Sequence, residues 1–211
     1  MIGPPERSPE RDAAIKALLP IVPFQGWTRS ALRAALKDIG EYPDDADLLF
    51  PRGAADMVEA YFDWADRRME DGAAKLNLAA MRVPERVRAV MALRLQQNRP
   101  YKEAVRRAYS LLMLPQNTAV AAACTARTVD AIWHAAGDKA ADFSWYTKRA
   151  ILAGIYSATM LYWLSDQSEE DADTLAFLDR RLAEVGRFGR MRHRVEDWIR
   201  RITPPPLRGA S

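Results

Sequence analysis

The residues best placed to do chemistry in this chain lie in the run Asp142-Phe-Ser-Trp-Tyr-Thr-Lys-Arg149, where Trp145 and Tyr146 stand beside Lys148 and Arg149. That chemistry is contact rather than catalysis. Tryptophan and tyrosine present an apolar body with one polar tip, while lysine and arginine lay apolar stems along a surface and keep their charged heads in water. Together they suit an anionic or lipid-bearing surface. A third ring, Trp133, precedes the Gly137-Asp138 break, so the two tryptophans can meet at one end of adjacent helices. Trp133 follows Ala131 and Ile132, and packing on the core is its plainer role. Trp145 and Tyr146, at a helix start beside two cations, read as exposed.

Catalytic groups are sparse. The two histidines, His134 and His193, are far apart in sequence and give little support to a histidine-based metal site. His134, near a helix end before Gly137, reads as a cap for helix carbonyls. The acids Glu169, Glu170, Asp171 and Asp173 follow Ser168, where they complement a helix dipole and read as a solvated helix start. Cys124 sits in an alanine-rich apolar stretch and reads as a small buried side chain; as the single cysteine it forms no intramolecular disulfide, which fits a reducing compartment. No glycine-rich phosphate loop, Ser-His-Asp arrangement or zinc spacing appears. The sequence therefore assigns no catalytic residue, no metal and no cofactor.

Positioning the contact residues falls to helices. Glycine is scarce, β-branched alternation is absent, and apolar residues recur at spacings of three and four, so the fold class is all-α. Helix starts are expected near Ser8, Thr28, Asp44, Gly53, Pro84, Tyr101, Pro115, Ser144, Ser168 and Gly186, giving ten short helices in an irregular bundle. The ends, 1–8 and 204–211, are rich in proline and charge and are expected to be disordered. Between them we expect a head over 9–51, a body over 53–185 and an amphipathic helix over 186–203. A chain of 211 residues, 49% hydrophobic, is ample for a core, and a formal net charge of +3 does not imply a uniformly basic nucleic-acid surface. The first twenty residues hold Pro, Glu and Asp without a continuous apolar run, which argues against a secretory signal or transit peptide and for cytosolic synthesis without cleavage.

Ala150 to Ser165 carries no charge yet is shorter than the roughly 20 residues a membrane-spanning helix needs, so it reads as a helix buried inside protein. Gly154, Ser157 and Ala158 would let another helix approach it closely. The head has a helix-turn-helix layout: Ile15, Leu18 and Leu19 on a first helix, Thr28 capping a second with Leu32 and Leu36, a turn at Gly40, and a third ending in Phe50. The third would have to meet phosphates in a DNA-binding version, but it reads Glu41-Tyr-Pro-Asp44-Asp45-Ala-Asp47. Those four carboxylates give the electrostatic term the wrong sign for DNA. At the other end, Phe188, Met191, Val195, Trp198, Ile199 and Ile202 fall within an arc of about 100° at 100° per residue, opposite Arg187, Arg190, Arg194 and Arg201. That is the pattern of a helix in a membrane interface, diluted by Glu196 and Asp197; a last helix packed on the body is the alternative.

The order Met113-Leu-Pro-Gln-Asn117, Trp133-His-Ala-Ala-Gly-Asp138, Asp142-Phe-Ser-Trp-Tyr-Thr-Lys-Arg149 and Thr174-Leu-Ala-Phe-Leu-Asp-Arg-Arg181 resembles the COQ9 family of ubiquinone-biosynthesis proteins over about residues 11 to 186. The resemblance implies a fold like the TetR repressors, with a degenerate helix-turn-helix head and a C-terminal amphipathic helix. It implies an isoprenoid-lipid-binding accessory protein, not an enzyme, that presents a membrane-derived quinone intermediate to the di-iron demethoxyubiquinone hydroxylase. In that family the matching Trp-Tyr pair lies in a functional surface patch, so Trp133, Trp145, Tyr146, Lys148 and Arg149 become the partner-binding set. The lipid is expected among Val90, Met91, Leu112, Ile132, Ile155 and Tyr156, and the stripe from Phe188 to Ile202 is expected to bind membrane. A homodimer through 150–164 and 174–182 follows from the TetR-like fold, with no DNA partner and a cytoplasmic location at the inner-membrane surface. The competing reading is a TetR-like transcriptional regulator responding to an apolar ligand.

Overall fold

The computed structural model describes residues 5–137 and 144–185, with the side chains of Ser144 and Trp145 excepted. The described residues are helical and contain no strand. In the head, α1 (Pro9–Leu18) starts where the Ser8 hydroxyl accepts the Arg11 N–H, and α3 (Arg29–Asp38) where the Thr28 hydroxyl accepts that of Ala31. Between them lies a short α2 (Val22–Gln25), which the sequence pattern did not resolve. Gly40, at φ 82°, makes the expected turn, since the left-handed region is open to glycine without steric cost. The third helix is reduced: a single 3-10 turn (Pro43–Asp45) leads into α4 (Ala46–Leu49). Its residue Asp47 pairs with Arg29 and Arg33 of α3.

The body is not made of short helices. Its frame is α5 (Ala54–Ala73), α6 (Val83–Asn98), α7 (Lys102–Leu112), α8 (Thr118–Ala135), α9 (Ser144–Ser165) and α10 (172–185). One continuous apolar cluster runs from Ala14 in the head to Leu178 in α10, so the expected boundary at 51–53 is not a break in the core. The Trp27 indole N–H donates to the Ala104 carbonyl at 3.1 Å and its ring packs against Tyr61, which fastens the head to α7 and α5.

Helix α5 is the axis, with every residue from Asp56 to Asp66 buried. Asp56, Glu59, Asp63, Asp66 and Glu70 recur at spacings of three and four and fall within an arc of about 80°. The first four are each met by a cation from elsewhere in the chain. Asp56 pairs with Arg11 at 2.8 Å, Glu59 with Arg52 at 2.7 Å and Arg127 at 2.6 Å, and Asp63 with Arg7 at 2.7 Å. Arg67 bridges Asp63 and Asp12, and Glu70 lies 3.0 Å from His134. His134 thus faces across to α5 instead of capping carbonyls as expected, because the side chain of Glu70 stands within reach on the neighbouring helix.

The deepest pair is Arg94 with Asp66, at 2.6 Å and both buried. The Thr128 hydroxyl donates to Asp66, and Arg94 donates to the Tyr156 hydroxyl at 3.2 Å. Burial pushes the Asp66 carboxyl up to about 6, against the pull of Arg94 and the Thr128 hydroxyl. Removing one partner of such a pair strands the other, at a cost of about 3–5 kcal/mol. Asp66→Ala is therefore expected to lower unfolding stability by about that amount, and Asp66→Leu combined with Arg94→Met to recover most of it. Urea denaturation of the single and double variants checks this; a double variant as unstable as the single would mean that the ion pair itself contributes net stability.

Candidate functional site

The contact residues converge where α8 ends and α9 begins. The end of α8 is fixed by chemistry legible in the backbone: Gly137 takes φ 77°, its N–H donates to the His134 carbonyl at 2.9 Å, and that of Ala136 to Ile132. Arg86, from the first turn of α6, reaches the Ala136 carbonyl and also binds Met81 and Ala79 carbonyls, tying this corner to the start of α6. Glu85 caps that start by accepting the Arg82 N–H at 2.9 Å. The far end of α9 is held by α7, where Lys102 donates to the Asp166 carbonyl and Arg106 to that of Leu164, cations placed where a helix C-terminus attracts them.

At the corner, Trp133 is 9% exposed while Tyr146 is 70% exposed. The Lys148 ammonium lies 5.9 Å from the centre of the Trp133 ring, and Arg149 pairs with Asp130 of α8. Four of the five expected partner-binding residues thus share one corner, with Trp133 forming its wall and Tyr146 its projecting ring. Trp145 lies in the first turn of α9, its side chain outside the described residues.

Behind this corner runs an apolar cleft of about 180 Å³, lined by Val83, Pro84 and Val87 of α6, Trp133 of α8, Lys148, Ile151, Leu152 and Ile155 of α9, and Leu182 and Val185 of α10. Of the six residues expected to hold lipid, only Ile155 lines it. Val90, Met91, Leu112, Ile132 and Tyr156 sit in the core, and Tyr156 belongs to the Arg94 network. Val83 and Val87 on α6 and Leu182 and Val185 on α10 were missed because the two helices are far apart in sequence and only their packing brings these residues together. The membrane stripe from Phe188 to Ile202 lies outside the described residues.

Two other expectations change. Helix α9 is not buried all round: Leu152, Ile155, Tyr156, Met160 and Trp163 face the core, but Ile151, Leu161 and Tyr162 are exposed and a Cβ at Gly154 would meet nothing within 4 Å. The acids after Ser168 are not simply solvated. Asp171 is buried against Arg99 at 2.8 Å, and Glu170 and Asp171 both adopt positive φ, because Asp166 captures the Ser168 and Thr174 N–H groups and bends the chain sharply into α10. Those hydrogen bonds, opposed by burial, hold the Asp166 carboxyl well below the usual carboxylate range.

The COQ9 family profile matches residues 118–189, the stretch that supplies α8, α9 and α10. The chain is 32% identical over 189 residues to the ubiquinone biosynthesis protein COQ9, mitochondrial, of Rattus norvegicus, covering 86% of this chain and 60% of that protein. It is 31% identical to that of Homo sapiens, again over 86% of this chain and 59% of the relative. This chain belongs to the COQ9 family. It spans about three-fifths of the length of those curated relatives. In fold, this COQ9 chain is similar to a TetR transcriptional regulator from Nitrosomonas europaea ATCC 19718, with a TM-score of 0.67 over 84% of this chain and 98% of that one at 23% identity. That likeness establishes a TetR-like fold and nothing of its activity.

Because Gly137 sits in left-handed backbone with the Arg86 guanidinium 3.3 Å from where a Cβ would stand, Gly137→Ala strains both the turn and the Arg86 clamp. A loss of about 1–2 kcal/mol is expected, with a shift in tryptophan emission as Trp133 loses its seat. Denaturation followed by fluorescence and by far-ultraviolet circular dichroism would separate the local change from global melting.

Proposed function

We propose that this chain is a non-catalytic, isoprenoid-lipid-binding accessory protein of ubiquinone biosynthesis, presenting a membrane-derived quinone intermediate to the pathway's di-iron demethoxyubiquinone hydroxylase. The observation that carries the reading is the apolar cleft at the α8–α9 corner. It is formed mainly within the segment the family profile matches, and it opens beside an aromatic and cationic patch suited to contact. Trp133, Trp145, Tyr146, Lys148 and Arg149 are the residues we assign to the hydroxylase-facing surface. Among the described residues no helix is long and apolar enough to cross a membrane, so access to lipid is assigned to the stripe from Phe188 to Ile202, lying on an inner membrane from the cytoplasmic side. Native mass spectrometry of the protein as purified tests the central claim. A bound prenylated quinone or related isoprenoid is the expected result, and organic extraction yielding no lipid would overturn it.

The regulator reading shares the fold, which supports it, but the charge of the head opposes it. Four acids stand in the segment that would enter the major groove, and two of the nearby arginines, Arg29 and Arg33, are already paired with Asp47.

Dimerisation belongs to the same proposal. The exposed stripe of Ile151, Gly154, Leu161 and Tyr162 on α9, continued by Phe177 stacked on Tyr162 at 4.7 Å, is the surface we assign to a two-fold partner. Leu161→Asp is expected to keep the fold, since that side chain is more than half exposed, and to convert a dimer to a monomer in sedimentation at micromolar concentration. A wild-type chain that sediments as a monomer throughout would remove the interface.

A further inference from the structure

Charge is divided unevenly along this chain. Residues 186–211 carry seven arginines against two acids, a net charge of +5, which leaves −2 on the other 185 residues of a chain whose total is +3. Within that segment Val195, Trp198, Ile199 and Ile202 recur at helical spacing, with Arg194, Arg200 and Arg201 beside them in sequence. Such apolar side chains gain free energy when something covers them.

The head holds a surface of the opposite kind. A cavity of about 240 Å³ lies between α1, α3 and the turn into α4, with Ala13, Leu36, Leu48 and Leu49 as its apolar lining and Glu10, Glu41 and Asp45 as its acids. No cation lines it. Leu48 is 79% exposed, and while the nearby Asp47 is paired with Arg29 and Arg33, Glu41 and Asp45 meet no cation among the described residues. Three carboxylates around an apolar lining attract a cationic amphiphile and repel the anionic headgroups of a membrane.

Size and reach narrow the occupant. An apolar cavity of about 150 Å³ admits one benzene ring, so about 240 Å³ takes an indole rather than the whole face of a helix. Trp198 is the one tryptophan of the basic segment. Before its apolar residues lie 186–194, where Gly186 and Gly189 weaken helix formation, and those nine residues extend to about 30 Å.

We propose that the head cavity receives the chain's own C-terminal segment, with Trp198 and Ile199 on Leu36 and Leu48, and Arg194, Arg200 and Arg201 toward Glu10, Glu41 and Asp45. A segment tethered to the same chain meets the cavity at a higher effective concentration than one from a second copy. The stripe assigned to the membrane contains Trp198 and Ile199, so one segment cannot occupy both places, and the cavity holds the stripe until an anionic surface takes it. Docking stands on the cavity and the charges; release rests on the membrane reading.

Cysteines introduced in the full chain by Ala13→Cys and Thr203→Cys, joined by a short bismaleimide, test the docking. The native Cys124 is 1% exposed with its thiol pushed by burial up to about 12, so it stays unreacted. A cross-link within one chain is expected, and none when Phe24→Cys, 85% exposed and outside the cavity, replaces Ala13→Cys. Glu41→Lys with Asp45→Lys should cut the yield about fivefold, the loss of two exposed charge pairs, and Trp198→Ala, outside the folded head, should cut it as well. Equal yields from Ala13→Cys and Phe24→Cys, or a yield unchanged by both sets of variants, would overturn the proposal. So would cross-links found only between copies when isotopically light and heavy chains are mixed. Vesicles containing phosphatidylglycerol are expected to abolish the cross-link. A chain that floats with the vesicles and keeps its cross-link would remove the stripe from the membrane while leaving the docking in place.

Discussion

The row of carboxylates along α5 is the constraint on which the other elements depend. A helix buried from Asp56 to Asp66 would ordinarily be apolar all round. Here one edge of it is charged, and each buried acid requires a cation delivered by another segment: Arg7 before α1, Arg11 on α1, Arg52 before α5, Arg94 on α6 and Arg127 on α8. Buried ion pairs add little net stability over apolar packing, but an unmatched one is costly, so they discriminate between arrangements. Sliding α8 by a single turn would leave Glu59 and Thr128 with the wrong neighbours. The acids therefore act as a register for the bundle, and they join head to body more specifically than the shared apolar core does.

Register at α5 in turn fixes the corner where α8 ends and α9 begins. With α8 set by Glu59–Arg127 and by Thr128 on Asp66, Trp133 is placed a turn and a half further along the same helix, toward the start of α6. Arg86 then closes the corner on the α8 terminus, and Asp130 draws Arg149 and with it the first turns of α9. The cleft is the space left between helices that were positioned by charge elsewhere, which is why its lining comes from four elements.

Most of the fold was legible in the sequence because helix ends carry local signals. Ser8, Thr28, Gly40 and Gly53 mark starts and turns by chemistry confined to a few residues, and the structure places boundaries at each. Helix α2 was not legible, since four residues with a proline between Val22 and Phe24 show no period. The acids of α5 were visible as a spacing of three and four, but their burial was not, since nothing local says that an arginine many residues away will meet them. The site divides the same way. Tyr146, Lys148 and Arg149 are neighbours in sequence and were found together, whereas Val83, Val87, Leu182 and Val185 become neighbours only through packing. The core residues proposed for lipid failed to line the cleft for a related reason: hydrophobicity identifies what is buried, not which buried surface borders a space.

The same fold can carry a regulator or a lipid carrier, and the sign and pairing of a few charges separate the two. A DNA-reading head needs its second and third helices to present unpaired cations to phosphates, because released counterions provide much of the affinity. In this chain the α3 arginines are paired with Asp47 at the surface, and α4 is four residues long behind a turn that holds Asp44 and Asp45. Opening those pairs to contact DNA would leave Asp47 beside a polyanion, so the head loses on both sides of the exchange. On α9 the balance runs the other way. An outer face with Ile151, Leu161 and Tyr162 exposed gains free energy only when another apolar surface covers it, at about 25 cal/mol per Å². An acidic head is readily solvated, whereas an apolar α9 face is a solubility liability unless something covers it.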